Sequence, residues 1–183
     1  GVGKRYLIQH SAGSGKSNSI AWLAHQLIGL EKNGHPMIDS VLVVTDRRIL
    51  DKQIKDTIKQ FVQVNSTVTW ARHSGELKDA IRDGKRIIIT TIEKFPYIAQ
   101  EIGQQHVGNK FAIIIDEAHS GQSGRNSANM NLALSGLASD SELDNEDKIN
   151  AIVEGRKLVK NASYFAFTAT PKNKTEELFG TPY

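Results

Sequence analysis

Three short runs of residues have the types and spacing to do chemistry on a phosphate. The first is His10-Ser11-Ala12-Gly13-Ser14-Gly15-Lys16-Ser17. Glycines let a backbone curl until successive N–H groups converge on an anion, and a helix opening just beyond adds the positive end of its dipole. A lysine at that point is a compact charge able to reach the β and γ phosphates of ATP, and the hydroxyl that follows can ligate Mg²⁺. The expected nucleotide contacts are therefore His10, Ser11, Ala12, Gly13, Ser14, Gly15, Lys16 and Ser17, with Ser17 also on the metal. A Gly/Ser-rich turn that happens to carry a lysine is the bland alternative, and the position between a strand and a helix argues against it. The general pattern begins with Gly, where this chain has His10. Packing suits Gln9 and His10 as well as ligand contact does.

About a hundred residues later an apolar run ends in Asp116-Glu117-Ala118-His119. Beside a bound nucleotide, the first carboxylate of such a pair holds Mg²⁺ and the second orients or activates the attacking water. Asp116 is the expected metal residue and Glu117 the expected general base, so Lys16, Asp116 and Glu117 form the candidate catalytic set. A solvated Asp-Glu pair capping the next helix is the ordinary alternative. The third run, Thr168-Ala169-Thr170-Pro171, follows another apolar stretch. Its hydroxyls could bond the acidic pair or His119 and sense the γ-phosphate, which makes His119, Thr168 and Thr170 candidate coupling residues. Taken alone it is a strand end and a turn.

Elements must position these groups. Apolar runs at Tyr6 to Ile8, Val41 to Val44, Ile87 to Ile89, Phe111 to Ile115 and Tyr164 to Phe167 are too short for helices and mostly β-branched or aromatic. They are continuous rather than alternating, as strands covered on both faces of a parallel sheet are. Val68-Thr69-Trp70 is a possible sixth strand. Between them, Leu23, Ala24, Leu27 and Ile28 fall at helical spacing from Ile20, and Gly34 with Pro36 is expected to close that segment. Leu50, Ile54, Ile58 and Phe61 repeat the pattern. Weaker periodic stretches run from Glu76 to Ile81, Phe95 to Ile102 and Ile149 to Val159. The expected fold is α/β, a three-layer α/β/α sandwich with a mainly parallel sheet, with ligands outside the carboxyl ends of the strands. His119 to Ser127 and Ser139 to Asp147 have the composition of surface connections.

The chain of 183 residues fits one domain, 1–183. It has no cysteine, which excludes a disulfide framework and thiolate metal sites. No apolar run approaches the roughly 20 residues needed to span a bilayer, so no membrane contact is expected and a cytoplasmic setting fits. Lys and Arg number 23 against 20 Asp and Glu, a formal net charge of +3, which permits a polyanionic partner without demanding one. The first residues, Gly1-Val2-Gly3-Lys4, suggest a piece of something longer.

In this order and placement, Gly13-Ser14-Gly15-Lys16-Ser17, Asp116-Glu117-Ala118-His119 and Thr168-Ala169-Thr170 resemble motifs I, II and III of superfamily 2 helicases and translocases. The resemblance implies a RecA-like first motor lobe of the P-loop NTPase kind, ATP hydrolysis, and nucleic acid bound across two such lobes. Tyr6-Leu7-Ile8-Gln9-His10, Asp46 through Gln53, Thr90 through Phe95 and Asp116 through Gln122 are similar to the motor subunit of type I restriction enzymes over nearly the whole chain. That likeness implies duplex DNA translocation in a complex with methylation and specificity subunits, before cutting by a separate nuclease domain. It also puts Asp46, Arg47 and Gln53 in motif Ia and Thr90 with Thr91 in the next motif, so that Arg47, Gln53, Thr90 and Thr91 face DNA. A solvated basic face is the alternative for Arg47, Arg48, Lys52 and Lys55. Packing suits Trp22 and Trp70 better than base stacking. The resemblance implies that the second lobe and its arginine finger lie outside this segment, so the expected behaviour is nucleotide binding with weak hydrolysis and no DNA cutting. The other readings are a lobe of another DNA or RNA helicase of the superfamily, or a nucleotide-binding switch.

Overall fold

A computed structural model of the chain describes residues 2–11, 14–45, 56–57, 68–91, 94, 102, 106–116 and 161–169. Along the chain these form β1 (Arg5–Gln9), α1 (Lys16–Gly29), β2 (Glu31–Lys32), β3 (His35–Pro36), β4 (Ser40–Thr45), β5 (Val68–Trp70), α2 (Ser74–Arg82), β6 (Ile87–Thr91), β7 (Phe111–Ile115) and β8 (Ala162–Thr168). Six strands make one sheet in the order β1-β8-β7-β4-β6-β5, and every neighbouring pair is parallel. The α/β reading is correct, and Val68–Trp70 is the sixth strand.

Parallel strands need cover on both faces, and two apolar cores supply it. On one face Ile20, Ala21, Ala24 and Leu27 of α1 meet Val41, Val43, Ile87, Ile89, Ala112, Ile114 and Phe167. On the other, Leu77, Ala80 and Ile81 of α2 meet Leu42, Val44, Ile88, Phe111, Ile113, Tyr164 and Ala166. Alternate residues of each strand serve opposite cores, so β4, β6 and β7 are buried along their whole length. Fully burying one such Ile or Leu contributes roughly 1.5–3 kcal/mol. Sheet and helices together form the expected three-layer sandwich.

Strand order locates the site. The chain leaves β1 and returns as β4, skipping two positions that β8 and β7 fill later. In open parallel sheets ligands bind outside the carboxyl ends of the strands, where β1 and β7 both end here.

One boundary differs from expectation. Helix α1 ends at Gly29, well before Gly34, and Glu31–Lys32 pairs antiparallel with His35–Pro36. Asn33 and Gly34 take φ of 55° and 77°. Two central residues with positive φ make the tight turn whose backbone twist suits a hairpin, and Asn-Gly is its strongest sequence signal. Arg86 donates from Nη2 to the Ile28 carbonyl at 2.7 Å, satisfying one of the orphan acceptors at the end of α1. The stretches expected as helices from Leu50 to Phe61, Phe95 to Ile102 and Ile149 to Val159 lie almost wholly outside the described residues, as do the connections His119 to Ser127 and Ser139 to Asp147. No helix among the described residues is long and apolar enough to cross a membrane.

Candidate functional site

Strand β1 delivers the phosphate loop. Its pairing with β8 runs from Arg5–Tyr164 to Gln9–Thr168, and the His10 amide continues it with a bond to the Thr168 carbonyl at 2.8 Å. Gln9 donates from Nε2 to the Ala169 carbonyl at 3.4 Å. The loop then turns into α1 through Gly15, whose φ of 84° lies in the left-handed region. A side chain there would meet only Asn18 at 3.9 Å, so the backbone angle, not crowding, calls for glycine. No side chain caps α1 and its first turn holds no acidic residue. The first N–H groups of a helix have no partner inside it, so this end is a natural place for an anion.

Lys16 is the first residue of α1. Its Nζ lies 3.3 Å from Oδ1 of Asp116, whose side chain is 3% exposed against 18% for that of Lys16. The main chain of Asp116 is anchored to β4, because its amide donates to the Val44 carbonyl at 2.8 Å. Two residues a hundred positions apart therefore meet beyond the carboxyl ends of β1 and β7. The pair is not fully enclosed, since part of the Lys16 side chain is in solvent. Ser17 is half-buried on the next position of α1. Among the described residues no group of three or more His, Cys, Asp or Glu could hold a metal. A single carboxylate and a hydroxyl instead suit Mg²⁺, which binds through one or two carboxylates together with the phosphates of its substrate.

His10 belongs to a tight polar cluster with Ser11, Ser14 and Ser19. Its Nδ1 is 2.8 Å from Ser14 Oγ and its Nε2 is 3.0 Å from Ser19 Oγ. The Ser14 hydroxyl donates to the Ser11 carbonyl at 2.6 Å. Ser19 escaped the sequence reading; its signal was a hydroxyl on the first turns of the helix that follows the loop.

The remaining candidates divide. Thr168 ends β8 and is buried. Strand alternation puts it on the α2 side, whereas Asp116 continues β7 on the α1 side, so the two tips point to opposite faces. Thr90 has no exposed surface and donates from Oγ1 to the Ala71 carbonyl at 3.2 Å. Its hydroxyl ties β6 to the residue after β5. Thr91 is buried too, and its hydroxyl accepts from Lys94 Nζ at 2.8 Å. Trp22 is 58% exposed, against the expectation of packing: it lies two residues from both Ile20 and Ala24, which turns it away from the core. Trp70 is half-buried, with the Arg72 guanidinium 5.3 Å from its ring centroid. Ala12, Gly13, Asp46, Arg47, Gln53, Glu117, His119 and Thr170 lie outside the described residues.

Solved structures share this fold. The UvsW helicase of bacteriophage T4 superposes with a TM-score of 0.57 at 14% identity, covering 97% of this chain and 53% of that one. A hypothetical ATP-dependent RNA helicase from Sulfolobus tokodaii gives 0.56 at 18% identity, covering 98% and 46%. The type ISP restriction-modification enzyme LlaGI, solved as a nuclease-deletion mutant with a DNA substrate mimic, gives 0.53 at 17%, covering 93% and 16%. In sequence the chain is similar to type I restriction enzyme endonuclease subunits. It is 26% identical over 176 residues to SauMSSORF170P of Staphylococcus aureus, covering 93% of this chain and 15% of that protein. Against HindI of Haemophilus influenzae the identity is 28% over 186 residues, covering 93% and 16%. The chain thus spans about 15% of the length of these relatives. Since the SWI2/SNF2 ATPase family matches the chain over residues 3–182, it belongs to that family.

Proposed function

We propose that the chain is the ATP-binding lobe of a DNA translocase in a type I restriction complex, coupling ATP hydrolysis to movement along duplex DNA. The observation that carries this reading is the meeting of Lys16 and Asp116 at the uncapped start of α1. Relatives described as restriction endonuclease subunits supply the biological setting.

ATP with Mg²⁺, when bound, supplies the phosphoanhydride and the divalent charge that offsets its oxygens. Lys16 exchanges the Asp116 carboxylate for phosphate oxygens, and the amides at the start of α1 face the same anion. Asp116, once released from the ammonium, would hold the metal together with the Ser17 hydroxyl. Glu117 accepts the proton of the attacking water. His119, Thr168 and Thr170 relay the state of the site to the rest of the motor. Arg47 and Gln53 contact DNA phosphates, which carry no sequence information and so suit a motor. Methylation and specificity subunits are the proposed partners, and a nuclease domain outside this segment makes the cut. The lobe alone turns ATP over slowly, because an arginine finger from a facing lobe contributes about 10³–10⁵ in rate.

Calorimetry with MgATP tests the first step: the chain binds, and Lys16→Ala does not. Turnover by the full-length protein tests the rest. Duplex DNA should stimulate it and RNA should not, and Glu117→Gln should abolish it while leaving MgATP affinity intact. Equal stimulation by RNA would discard the restriction reading, and unchanged turnover in Glu117→Gln would remove that residue from its role.

A further inference from the structure

We infer that His10 is a positioning residue that clamps the phosphate loop in its nucleotide-ready shape without itself touching the nucleotide. The inference rests on the ATP-binding reading above and assigns His10 a task distinct from the ligand contact that its place in the motif suggests.

Proton counting carries the argument. The Ser14 hydroxyl has one hydrogen, and at 2.6 Å it is committed to the Ser11 carbonyl. His10 Nδ1, 2.8 Å from the same oxygen, must then donate to it. In the neutral ring Nε2 is consequently an acceptor, and the Ser19 hydroxyl at 3.0 Å is its donor. The result is a directed chain: Ser19 O–H to His10 Nε2, His10 Nδ1–H to Ser14 Oγ, Ser14 O–H to the Ser11 carbonyl. It joins the end of β1, the middle of the loop and the first turns of α1.

Both ring nitrogens are thereby taken by the protein. The ring is held on a third side as well: the His10 amide is fixed to the Thr168 carbonyl, and the Phe167 ring centroid lies 6.2 Å away at 49°. A group so engaged has no polar atom left for phosphate. What it can do is hold Ser14 and Ser11 together across the turn. There the Ser14 amide reaches the Ser11 carbonyl at only 3.4 Å, so the backbone bond alone is weak. The general motif has a glycine in this position, which can curl but not clamp; here a side chain fixes one loop shape before ligand arrives. Preorganisation of this kind raises affinity by lowering the ordering cost of binding.

Four variants test the clamp by MgATP calorimetry and thermal melting. His10→Ala and Ser14→Ala should each weaken MgATP binding by about three- to tenfold, the range of one net hydrogen bond. The double variant should be no weaker than the worse single, since both remove the same bond. His10→Asn, whose amide can donate from near the Nδ1 position, should recover most of the affinity, and His10→Gln, which reaches toward Ser19 instead, should not. Additive losses, or equal recovery by Asn and Gln, would overturn the inference. So would loss of binding in His10→Ala with none in Ser14→Ala, which would make His10 a direct ligand. Nitrogen-15 NMR of the unaltered chain at mildly alkaline pH gives an independent reading that survives poor folding of any variant. The His10 ring should carry its proton on Nδ1, and a proton on Nε2 would sink the clamp. Failure of the unaltered chain to bind MgATP would instead remove the ATP reading, and the ring tautomer would still decide the clamp.

Discussion

The two helix starts differ in the backbone of the N-cap residue and in the charge of the first turn. Helix α2 follows the rules: its N-cap His73 is extended, with φ −125° and ψ 157°, and Glu76 lies in its first turn. A Glu76 carboxylate oxygen accepts the Arg72 amide at 2.6 Å, and Arg82 in the last turn pairs with Asp79 at 2.9 Å. Both charges suit the macrodipole. Helix α1 does the reverse. Neither start has a side-chain cap, but α1 begins at a left-handed Gly15 with no acid in its first turn, and its first residue is the cation Lys16. A cation at a helix N-terminus is unfavourable unless an anion joins it. Asp116, reaching over from β7, fills that part at 3.3 Å. Helix α2 is closed by its own sequence, whereas α1 borrows an anion from another strand, as a site intended for an anionic ligand would.

The sharpest way to break this contrast is to remove the cation. Lys16→Ala leaves a nearly buried Asp116 without its charge partner, and unpairing a buried ion typically costs about 3–5 kcal/mol. Part of the Lys16 side chain is exposed, so the loss should fall at the low end, about 3 kcal/mol or less. Adding Asp116→Asn should restore much of it, as read by denaturant titration. If the single variant melts like the parent, Asp116 is not relying on Lys16. One substitution made at both helix starts should then change sign. Gly15→Ala forces a side chain into a left-handed backbone and should cost about 1–2 kcal/mol. Gly75→Ala, within α2 and with nothing within 4 Å of the added carbon, should stabilise by about 0.4–1 kcal/mol. Two shifts of the same sign would show that the starts are not different in kind. Giving α1 the acid it lacks is gentler. Asn18→Glu places a carboxylate in its exposed first turn, which should add about 0.3–1 kcal/mol to stability and weaken MgATP binding, the two moving in opposite directions.

How much of this was legible in the sequence depended on which force fixed each element. Strands β4, β6 and β7 were legible because burial on both faces writes itself as a continuous β-branched run, and Phe111–Ile115 was bounded correctly at both ends. Phosphate loop and acidic strand tip were legible as motifs, and the parallel order of β1, β8, β7 and β4 explains how Lys16 reaches Asp116. The end of α1 was not, because Gly34 and Pro36 look like helix terminators while in fact Asn33 and Gly34 turn a hairpin. The resemblance put Thr90 on the DNA side, and the bond to Ala71 that accompanies its burial is a tertiary contact that spacing does not show. The His10 cluster depends on side-chain directions that spacing does not encode.

The smallest predicted effect is also the most selective. The Arg72 amide, chiefly, holds the Glu76 carboxyl below its ordinary value, with the His73 amide and the charges of His73 and Arg72 adding to the same shift. A carboxylate whose folded pKa is depressed contributes stability that is present above the unfolded value and lost as pH falls through the folded one. Glu76→Gln keeps an acceptor oxygen for the Arg72 amide but loses the charge at the positive end of α2. Parent and variant should therefore differ slightly in melting temperature at neutral pH and converge as the solution is acidified through the glutamate range and below it. Because Glu76 is solvent-exposed, salt should shrink the neutral-pH gap as well. A gap that stays constant from neutral to acid pH would mean that shape alone, and not charge, closes α2. The electrostatic half of the contrast between the two helix starts would then have to be given up.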